Sequence, residues 1–288
     1  MGSASTTKVH HALIVGASAG IGRAIALEVA PLANKFTLAS RSCPSDLITT
    51  IKQRNPSIDV THEILDVSSL RDVRRFTETH KSSDAVPFDW IIMSPGVASI
   101  NGRTETIEGL DVKMATHFYG RFMLIRDLLP TLDRPNVRVL NILAAAKGGR
   151  VDADDLDLKR TFSIRRCAEV TSTYSDLMAQ AFAERAPHAI FMHACPGSAT
   201  SPLANGRPCY LSGSASVLAA LLAHPPDENA KFMLDALTDN CEPGWRLLGQ
   251  HGEALAPTKF HTHEMKDIVW KHSSAMINRV MRDFETIN

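Results

Sequence analysis

Three glycines with the spacing Gly-x-x-x-Gly-x-Gly are the first residues along the chain whose arrangement indicates a chemical role. Gly16, Gly20 and Gly22 follow the apolar run 12–15, and the helical pattern of residues 21–30 begins inside the motif. Such a loop turns tightly, lets the backbone approach a pyrophosphate, and presents the free N–H groups of a helix N-terminus to it. A strand before the loop and a helix after it are the context that a dinucleotide site requires. The residues of this predicted site are Gly16, Ser18, Ala19, Gly20, Ile21 and Gly22.

Arg41 indicates which dinucleotide the loop binds. It follows the second predicted strand, residues 35–39, at the place where folds selective for NAD carry an acid that binds the ribose hydroxyls. An arginine at this place can pair with the 2′-phosphate of NADP through two parallel hydrogen bonds. We therefore predict NADP(H) as the cofactor.

The third and fourth predicted strands each end in residues suited to the adenosine half of that cofactor. Asp66 and Val67 close the third strand, where the carboxylate can accept a hydrogen bond from the adenine amino group. Ser94, Pro95 and Gly96 close the fourth, where small residues let the backbone approach the ribose. We include all five in the predicted cofactor site.

The elements that must position these residues are strands and helices in alternation. Strand-like apolar runs cover residues 12–15, 35–39, 60–65, 90–93, 137–143 and 189–194. Helical patterns cover residues 21–30, 44–54, 69–80, 110–129 and 170–185. This order predicts an α/β fold, a Rossmann-type doubly wound parallel sheet with helices on both faces. We expect a single domain over residues 1–288, with a cofactor-binding core at 8–203 and a helical substrate-side cap and C-terminal region at 204–288.

Composition argues against several classes of partner. The 288 residues contain 31 basic and 31 acidic side chains, so we expect no binding of nucleic acid or of anionic lipid. No run of about eighteen apolar residues is present, and we expect no membrane association. Five cysteines without a Cys-x-x-Cys pair, and an N-terminus without a hydrophobic signal core, indicate a cytoplasmic protein. The acidic run 152–157 lacks the glycine and glutamate of a calcium loop, and the histidines of 261–272 have no supporting motif, so we expect no metal site.

The motifs together resemble the short-chain dehydrogenase/reductase family over roughly residues 8–203. They are the glycine loop, Asp66-Val67, Ser94-Pro95-Gly96 and Cys195-Pro196-Gly197-Ser198-Ala199-Thr200. In that family a Pro-Gly-x-x-x-Thr loop holds the nicotinamide carboxamide, so the resemblance gives this role to Pro196, Gly197 and Thr200. Segments that look like a fungal subgroup associated with natural-product pathways are residues 104–111, 117–122 and 154–159. The resemblance implies a small-molecule substrate and a possible homo-oligomer.

The chain departs from the family at the catalytic residues. Typical members use an Asn-Ser-Tyr-Lys tetrad, in which the lysine lowers the pKa of the tyrosine that protonates the alkoxide. His117 stands at the Asn position, three residues before Gly120, and Ala144 stands at the Ser position. The resemblance therefore does not by itself imply ordinary carbonyl reduction.

Two registers are open for the Tyr-x-x-x-Lys pair. In the first, Tyr174 is the tyrosine and Met178 replaces the lysine, which leaves only eight residues before Pro187. In the second, which keeps the helix at the family's length, Ala168 replaces the tyrosine and Ser172 the lysine. In either register no ammonium lowers the pKa of a phenol from its usual value of about 10.

Four residues near these positions are our candidates for the substrate pocket: Glu169, Tyr174, His117 and Tyr119, with His117 as an acid near neutral pH. Hydride transfer to an iminium or another activated acceptor needs no tuned protein acid, because the cofactor supplies the hydride. We therefore expect an NADP(H)-dependent reductase of atypical mechanism that acts on a small biosynthetic intermediate. The alternatives are a non-redox cyclase or isomerase on the same fold, and a non-catalytic NADP(H)-binding protein.

Overall fold

Seven short strands form one parallel sheet in the computed structural model, which describes residues 9–82, 84–97, 99–196 and 226–285. The strands are β1 (Val9–Val15), β2 (Ala33–Ser40), β3 (Asp59–Ile64), β4 (Trp90–Met93), β5 (Arg138–Ile142), β6 (Ile190–Ala194) and β7 (Gly244–Leu248). Their order in the sheet is β3-β2-β1-β4-β5-β6-β7. The strand order reverses between β1 and β4, so their carboxyl ends flank the crevice where such sheets bind ligands. This arrangement confirms the predicted fold class.

Helices cover both faces of the sheet. They are α1 (Gly20–Val29), α2 (Ser45–Arg54), α3 (Leu70–His80), α4 (Val112–Met114), a π-helical turn (Ala115–Tyr119), α5 (Gly120–Leu132), α6 (Ile164–Ala183), α7 (Pro226–Thr238) and α8 (His263–Glu285). Buried apolar side chains of α1, α2 and α7 form the core on one face. Those of α3, α5, α6 and α8 form the core on the other face. Those predicted cofactor residues that the structure describes lie at the carboxyl ends of the strands, between these two layers.

Two elements begin earlier than the apolar pattern indicates, and polar residues explain both differences. Helix α6 begins at Ile164 because the Ser163 hydroxyl accepts a hydrogen bond from the N–H of Arg166 at 3.0 Å, which caps the helix. Strand β1 begins at Val9 and includes the buried His11, whose Nε2 lies 2.9 Å from the Thr37 hydroxyl. A histidine with a buried partner interrupts the apolar pattern without ending the strand.

The described part of residues 204–288, which is residues 226–285, contains a strand as well as two helices, and the predicted substrate-side cap stays a prediction. Strand β7 pairs in parallel with β6, and α7 packs against α1. Helix α8 packs against α3 and α6, and its Trp270 ring lies 5.1 Å from Phe122 and under the guanidinium of Arg185. A short strand within a helix-rich stretch was missed, and its pairing with β6 adds it to the sheet.

Candidate functional site

The glycine loop packs against the end of β4 so closely that two of its glycines have no room for a side chain. A Cβ on Gly22 would lie 2.2 Å from the Ser94 hydroxyl and 2.5 Å from the Gly16 carbonyl oxygen. A Cβ on Gly16, whose φ is +86°, would lie 2.8 Å from the nitrogen of Pro95. The loop and the Ser94-Pro95 turn therefore form one cradle, and only glycine fits at these two positions.

The N-terminus of α1 opens toward this cradle. Ala19 precedes the helix in an extended conformation (φ −156°) and provides no side-chain cap, and the first turn contains no acidic residue. Ser18 and Ala19 are exposed. The free N–H groups and partial positive charge of the helix end suit an anionic phosphate.

Arg41 and Asp66 lie at the ends of β2 and β3 on the same edge. Arg41 is exposed and makes no hydrogen bond or ion pair with any of the described residues. Asp66 is half-buried, and its Oδ1 accepts hydrogen bonds from the N–H and the hydroxyl of Ser68 at 2.9 and 2.7 Å. Val67 is buried, and its carbonyl oxygen would lie 2.0 Å from a Cβ on Gly120. The fold thus brings the predicted adenosine residues to one edge.

The nicotinamide end of the predicted site is described in part. Pro196 follows β6 and is half-buried. Gly197 and Thr200 lie outside the described residues. Their predicted role therefore stays a prediction from the resemblance.

His117 lies in the π-helical turn and supports the loop after β4. Its Nε2 accepts a hydrogen bond from the N–H of Val97 at 3.2 Å. Burial, together with the positive charges of Arg121 and Lys113, lowers the pKa of His117 to about 3. The imidazole is therefore uncharged at neutral pH, which corrects the prediction that His117 is a protonated acid there.

The two candidate tyrosines are core residues in this structure. Tyr119 is 1% exposed, and its hydroxyl donates to Asp157 Oδ1 at 2.7 Å and lies 3.0 Å from His272 Nε2. Tyr174 is 0% exposed, and its hydroxyl donates to the carbonyl of Leu156 at 3.0 Å. Burial, followed by the charge of Asp157, raises the pKa of both phenols. The prediction that they line an open pocket is therefore wrong for the described structure, because both hydroxyls are buried and bonded within the protein.

Glu169 differs from the other candidates in being partly accessible. Its carboxylate forms an ion pair with Arg165 at 2.7 Å, and its side chain is 19% exposed. It packs beside Gly149 in the loop that follows β5. A pocket role for Glu169 stays a prediction, since this carboxylate already has a cationic partner on its own helix.

The junction of β5 and α6 joins the two positions that our second register assigns to the family's serine and lysine. The Ser172 hydroxyl donates a hydrogen bond to the Ala144 carbonyl oxygen. Ala168, one turn earlier on α6, is partly exposed. The contact places the helix face that carries Ala168 and Ser172 against the end of β5.

A buried network that sequence reasoning missed lies below this junction. Asp176 on α6 accepts hydrogen bonds from His193 Nδ1 at 2.6 Å and from His261 Nε2 at 3.0 Å. It also accepts one from the N–H of Ala146, and His193 Nε2 accepts one from the N–H of Ala144. Burial alone would raise the pKa of Asp176, but the charge and hydrogen bonds of its two histidines outweigh this and lower it. The network fixes the loop after β5 to β6 and to the segment before α8.

Arg121 is another buried polar residue that sequence reasoning missed. Its side chain is 1% exposed, and it follows Gly120 at the start of α5. The guanidinium donates to main-chain oxygens at the ends of β4 and β5. An arginine inside the apolar stretch Gly-Arg-Phe-Met-Leu-Ile was the available signal, because a charge among buried side chains needs partners.

Two further features are absent from the part of the chain that the structure describes. No group of three or more His, Cys, Asp or Glu side chains in these ranges is arranged to hold a metal ion. Among the described helices, none combines the length and the apolar composition that a membrane span needs.

Comparison with known proteins identifies the relatives of this chain. Residues 10–151 match the family described as short chain dehydrogenase. Oxidoreductase AN1596 of Emericella nidulans is 29% identical over 197 residues, which cover 65% of this chain and 57% of that protein. An NmrA-like family domain-containing oxidoreductase, notO, of an Aspergillus species is 28% identical over 200 residues, which cover 66% of this chain and 60% of that protein. The chain thus spans less than two thirds of the length of these two relatives.

Solved structures share the fold at low sequence identity. A metagenomic short-chain oxidoreductase in complex with NADP has a TM-score of 0.61 and 18% identity, covering 88% of this chain and 100% of that one. An NADH-dependent reductase complexed with NAD has a TM-score of 0.60 and 17% identity, covering 87% of this chain and 98% of that one. These similarities support the architecture described above.

Proposed function

Because the chain belongs to the short-chain dehydrogenase/reductase family, we propose that it is an NADP(H)-dependent reductase that works without the family's tetrad. The observation that carries this proposal is the hydrogen bond from Ser172 to the Ala144 carbonyl. It favours the register in which Ala144, Ala168 and Ser172 occupy the tetrad's Ser, Tyr and Lys positions. At these positions the chain offers no phenol and no ammonium to protonate an alkoxide.

The cofactor preference rests on the chain's own residues. The tight packing of Gly16 and Gly22 against the Ser94-Pro95 turn shapes the loop that we propose binds the pyrophosphate, and the unpartnered Arg41 suits a 2′-phosphate. The loop after β4 is held by two hydrogen bonds: His117 accepts one from the N–H of Val97, and Arg121 donates one to the Pro95 carbonyl. NADPH, when bound there, supplies the hydride, and the residues named here hold and orient it.

We propose an activated small molecule from a biosynthetic pathway as the acceptor. An iminium carbon accepts hydride without a proton, and a carbonyl-conjugated double bond gives an enolate that water can protonate. Of these two, the enone fits better, because the buried positive charge of Arg121 favours a product that gains negative charge. A saturated ketone is the poorest substrate, since its alkoxide product needs the missing acid.

Transfer of deuterium from labelled NADPH tests this proposal. Full-length protein is incubated with NADPH carrying deuterium at either face of C4 and with a cyclic enone, a cyclic iminium and a saturated ketone in turn. We expect label in the enone product or the iminium product, from one face only, and none in the alcohol. Efficient labelling of the alcohol, or the absence of NADPH binding, would overturn the proposal.

Non-catalytic NADP(H) binding is the second candidate. It is favoured by the burial of the Tyr119 and Tyr174 hydroxyls and by the low pKa of His117, which leave none of these three groups available to protonate a substrate at neutral pH. Tight NADPH binding without conversion of any acceptor, including those in a crude extract of fungal metabolites, would support it. A product formed while NADPH stays intact would instead support a cyclase or isomerase.

The free cysteines among the described residues fit our proposal of a cytoplasmic location.

A further inference from the structure

The guanidinium of Arg121 is held entirely by uncharged oxygen atoms. Its Nε donates to the Thr116 carbonyl at 3.2 Å, and one terminal nitrogen donates to the Ile142 carbonyl at 2.9 Å. The remaining acceptors are the carbonyl oxygens of Met93 and Pro95 and the side-chain oxygen of Asn141. The side chain is therefore well bonded but keeps its full charge.

No carboxylate in the described part of the chain forms an ion pair with Arg121. The neighbouring cation Lys113, in contrast, pairs with the buried Asp111 at 3.6 Å. Burial lowers the pKa of Arg121 to about 9, which still leaves it protonated at neutral pH. Burying a charge without a counterion destabilises the folded state, and a neutral side chain could connect the same elements with a smaller loss of folding free energy. The retained charge therefore calls for a role beyond holding the elements together.

The position of Arg121 relative to the sheet indicates what the charge acts on. Its partners Met93 and Pro95 lie at the carboxyl end of β4, and Asn141 and Ile142 lie at the carboxyl end of β5. A dinucleotide crosses such a sheet where the strand order reverses, here between β1 and β4. The glycine loop and Arg41 assign the adenosine half to the side of β1, β2 and β3. The Ser94-Pro95-Gly96 turn after β4 is predicted to lie beside the adenosine ribose, so the nicotinamide half then belongs beyond it, at the end of β5, where Arg121 donates to Asn141 and Ile142.

We propose that the charge of Arg121 makes the site prefer NADPH over NADP⁺. The nicotinamide ring carries a positive charge when oxidised and none when reduced, so a fixed cation nearby disfavours the oxidised form. Two unit charges about a nanometre apart, in surroundings with an effective dielectric constant of about 20, change an equilibrium on the order of tenfold. This inference rests on the proposed binding of NADP(H), and it makes Arg121 a determinant of which oxidation state of the cofactor binds more tightly.

The test compares the ratio of two dissociation constants, Kd for NADP⁺ over Kd for NADPH, in full-length wild type and in Arg121→Met. Methionine fills similar space without charge. We expect the wild type to bind NADPH on the order of tenfold more tightly than NADP⁺, and the variant to lose most of this preference. Arg126→Met, on the same helix but paired with Asp127, is the matched control and should keep the wild-type ratio.

A purely structural role for Arg121 gives a different result. It would weaken both dissociation constants by the same factor in Arg121→Met and leave their ratio unchanged, which would overturn the inference. If Arg121→Met does not fold, the wild type decides alone, because equal affinity for NADPH and NADP⁺ contradicts the inference. If neither dinucleotide binds the wild type, it is the proposed function that fails.

Discussion

His117 Nε2 accepts a hydrogen bond from the main-chain N–H of Val97 across 3.2 Å. An imidazole that accepts at Nε2 must carry its proton on Nδ1 and be neutral. This hydrogen bond therefore helps to hold the loop after β4 in place, and it requires the neutral form of His117 that the low pKa also favours.

Acidification should destabilise the protein through this histidine. The pKa of His117 is about 3 in the folded state and about 6.5 in the unfolded chain, so between these values the unfolded state binds the extra proton. The stability contribution is complete above pH 6.5 and is lost as the pH falls toward 3, by up to about 1.4 kcal/mol per pH unit.

Urea unfolding at pH 7, 6, 5 and 4 tests this argument. The free energy of unfolding should fall less steeply with pH in His117→Gln, whose amide oxygen can still accept from Val97, than in the wild type. His10→Gln, at an exposed position, should follow the wild type. Identical pH profiles for wild type and His117→Gln would contradict the argument.

Gly22→Ala should damage both the fold and the cofactor site. Its Cβ would lie 2.5 Å from the Gly16 carbonyl oxygen, a main-chain atom that moves only with the loop. We expect a loss of about 1–3 kcal/mol in the free energy of unfolding and at least tenfold weaker NADPH binding by fluorescence titration. Gly102→Ala, where nothing lies within 4 Å of the new Cβ, should change neither quantity. Normal NADPH affinity in Gly22→Ala would show that the cradle is not the phosphate site.

Arg41→Ala should change which dinucleotide is preferred. Loss of a charge-assisted, bidentate pair with the 2′-phosphate should weaken NADPH binding about ten- to a hundredfold and leave NADH binding nearly unchanged. Calorimetric titration with both cofactors measures the two affinities. Arg75→Ala, an exposed arginine of α3, controls for the loss of a surface charge. Parallel weakening of NADPH and NADH would argue against a 2′-phosphate role.

Asp176→Asn should destabilise the fold more than its small size suggests. In this variant an NH₂ group replaces one of the two carboxylate oxygens that accept hydrogen bonds from His193 and His261. One histidine N–H would then face another donor, so buried hydrogen-bonding groups would be left unsatisfied. We expect a loss of ~3 kcal/mol or more in the free energy of unfolding, measured with urea. Asp235→Asn, at an exposed position on α7, should stay within about 0.5 kcal/mol of the wild type. A similarly small effect of Asp176→Asn would mean that the network contributes little to stability.

Local features of the sequence were sufficient to predict the fold class and the strand-turn-helix unit around the glycine motif. The spacing of Gly16, Gly20 and Gly22 is a property of seven consecutive residues, and the strand and helix around it are equally local. The alternating apolar runs likewise predicted six of the seven strands. β7 was missed because it is a five-residue strand in a stretch that otherwise reads as helical.

The polar interior required the three-dimensional structure. Asp176 and His261 are 85 residues apart, and nothing in either neighbourhood indicates that they meet. Tyr174 shows the converse, because Tyr-Ser-Asp-Leu-Met resembles a catalytic motif although the tyrosine faces Phe118 and the core. Which side of a helix faces the ligand is decided by packing, and a single side chain in the sequence does not reveal it.

The packing of α7 against α1 couples the stabilities of two segments that are far apart in the sequence. Helix α1 presents its N-terminus to the predicted phosphate site, while α7, about two hundred residues later, covers its apolar face. A ligand that binds only the folded form stabilises every element whose folding the site requires. Saturating NADPH should therefore slow amide hydrogen exchange in residues 226–238, a helix that none of our cofactor contacts include. Such slowing would identify the glycine motif and this distant helix as parts of one cooperative folding unit.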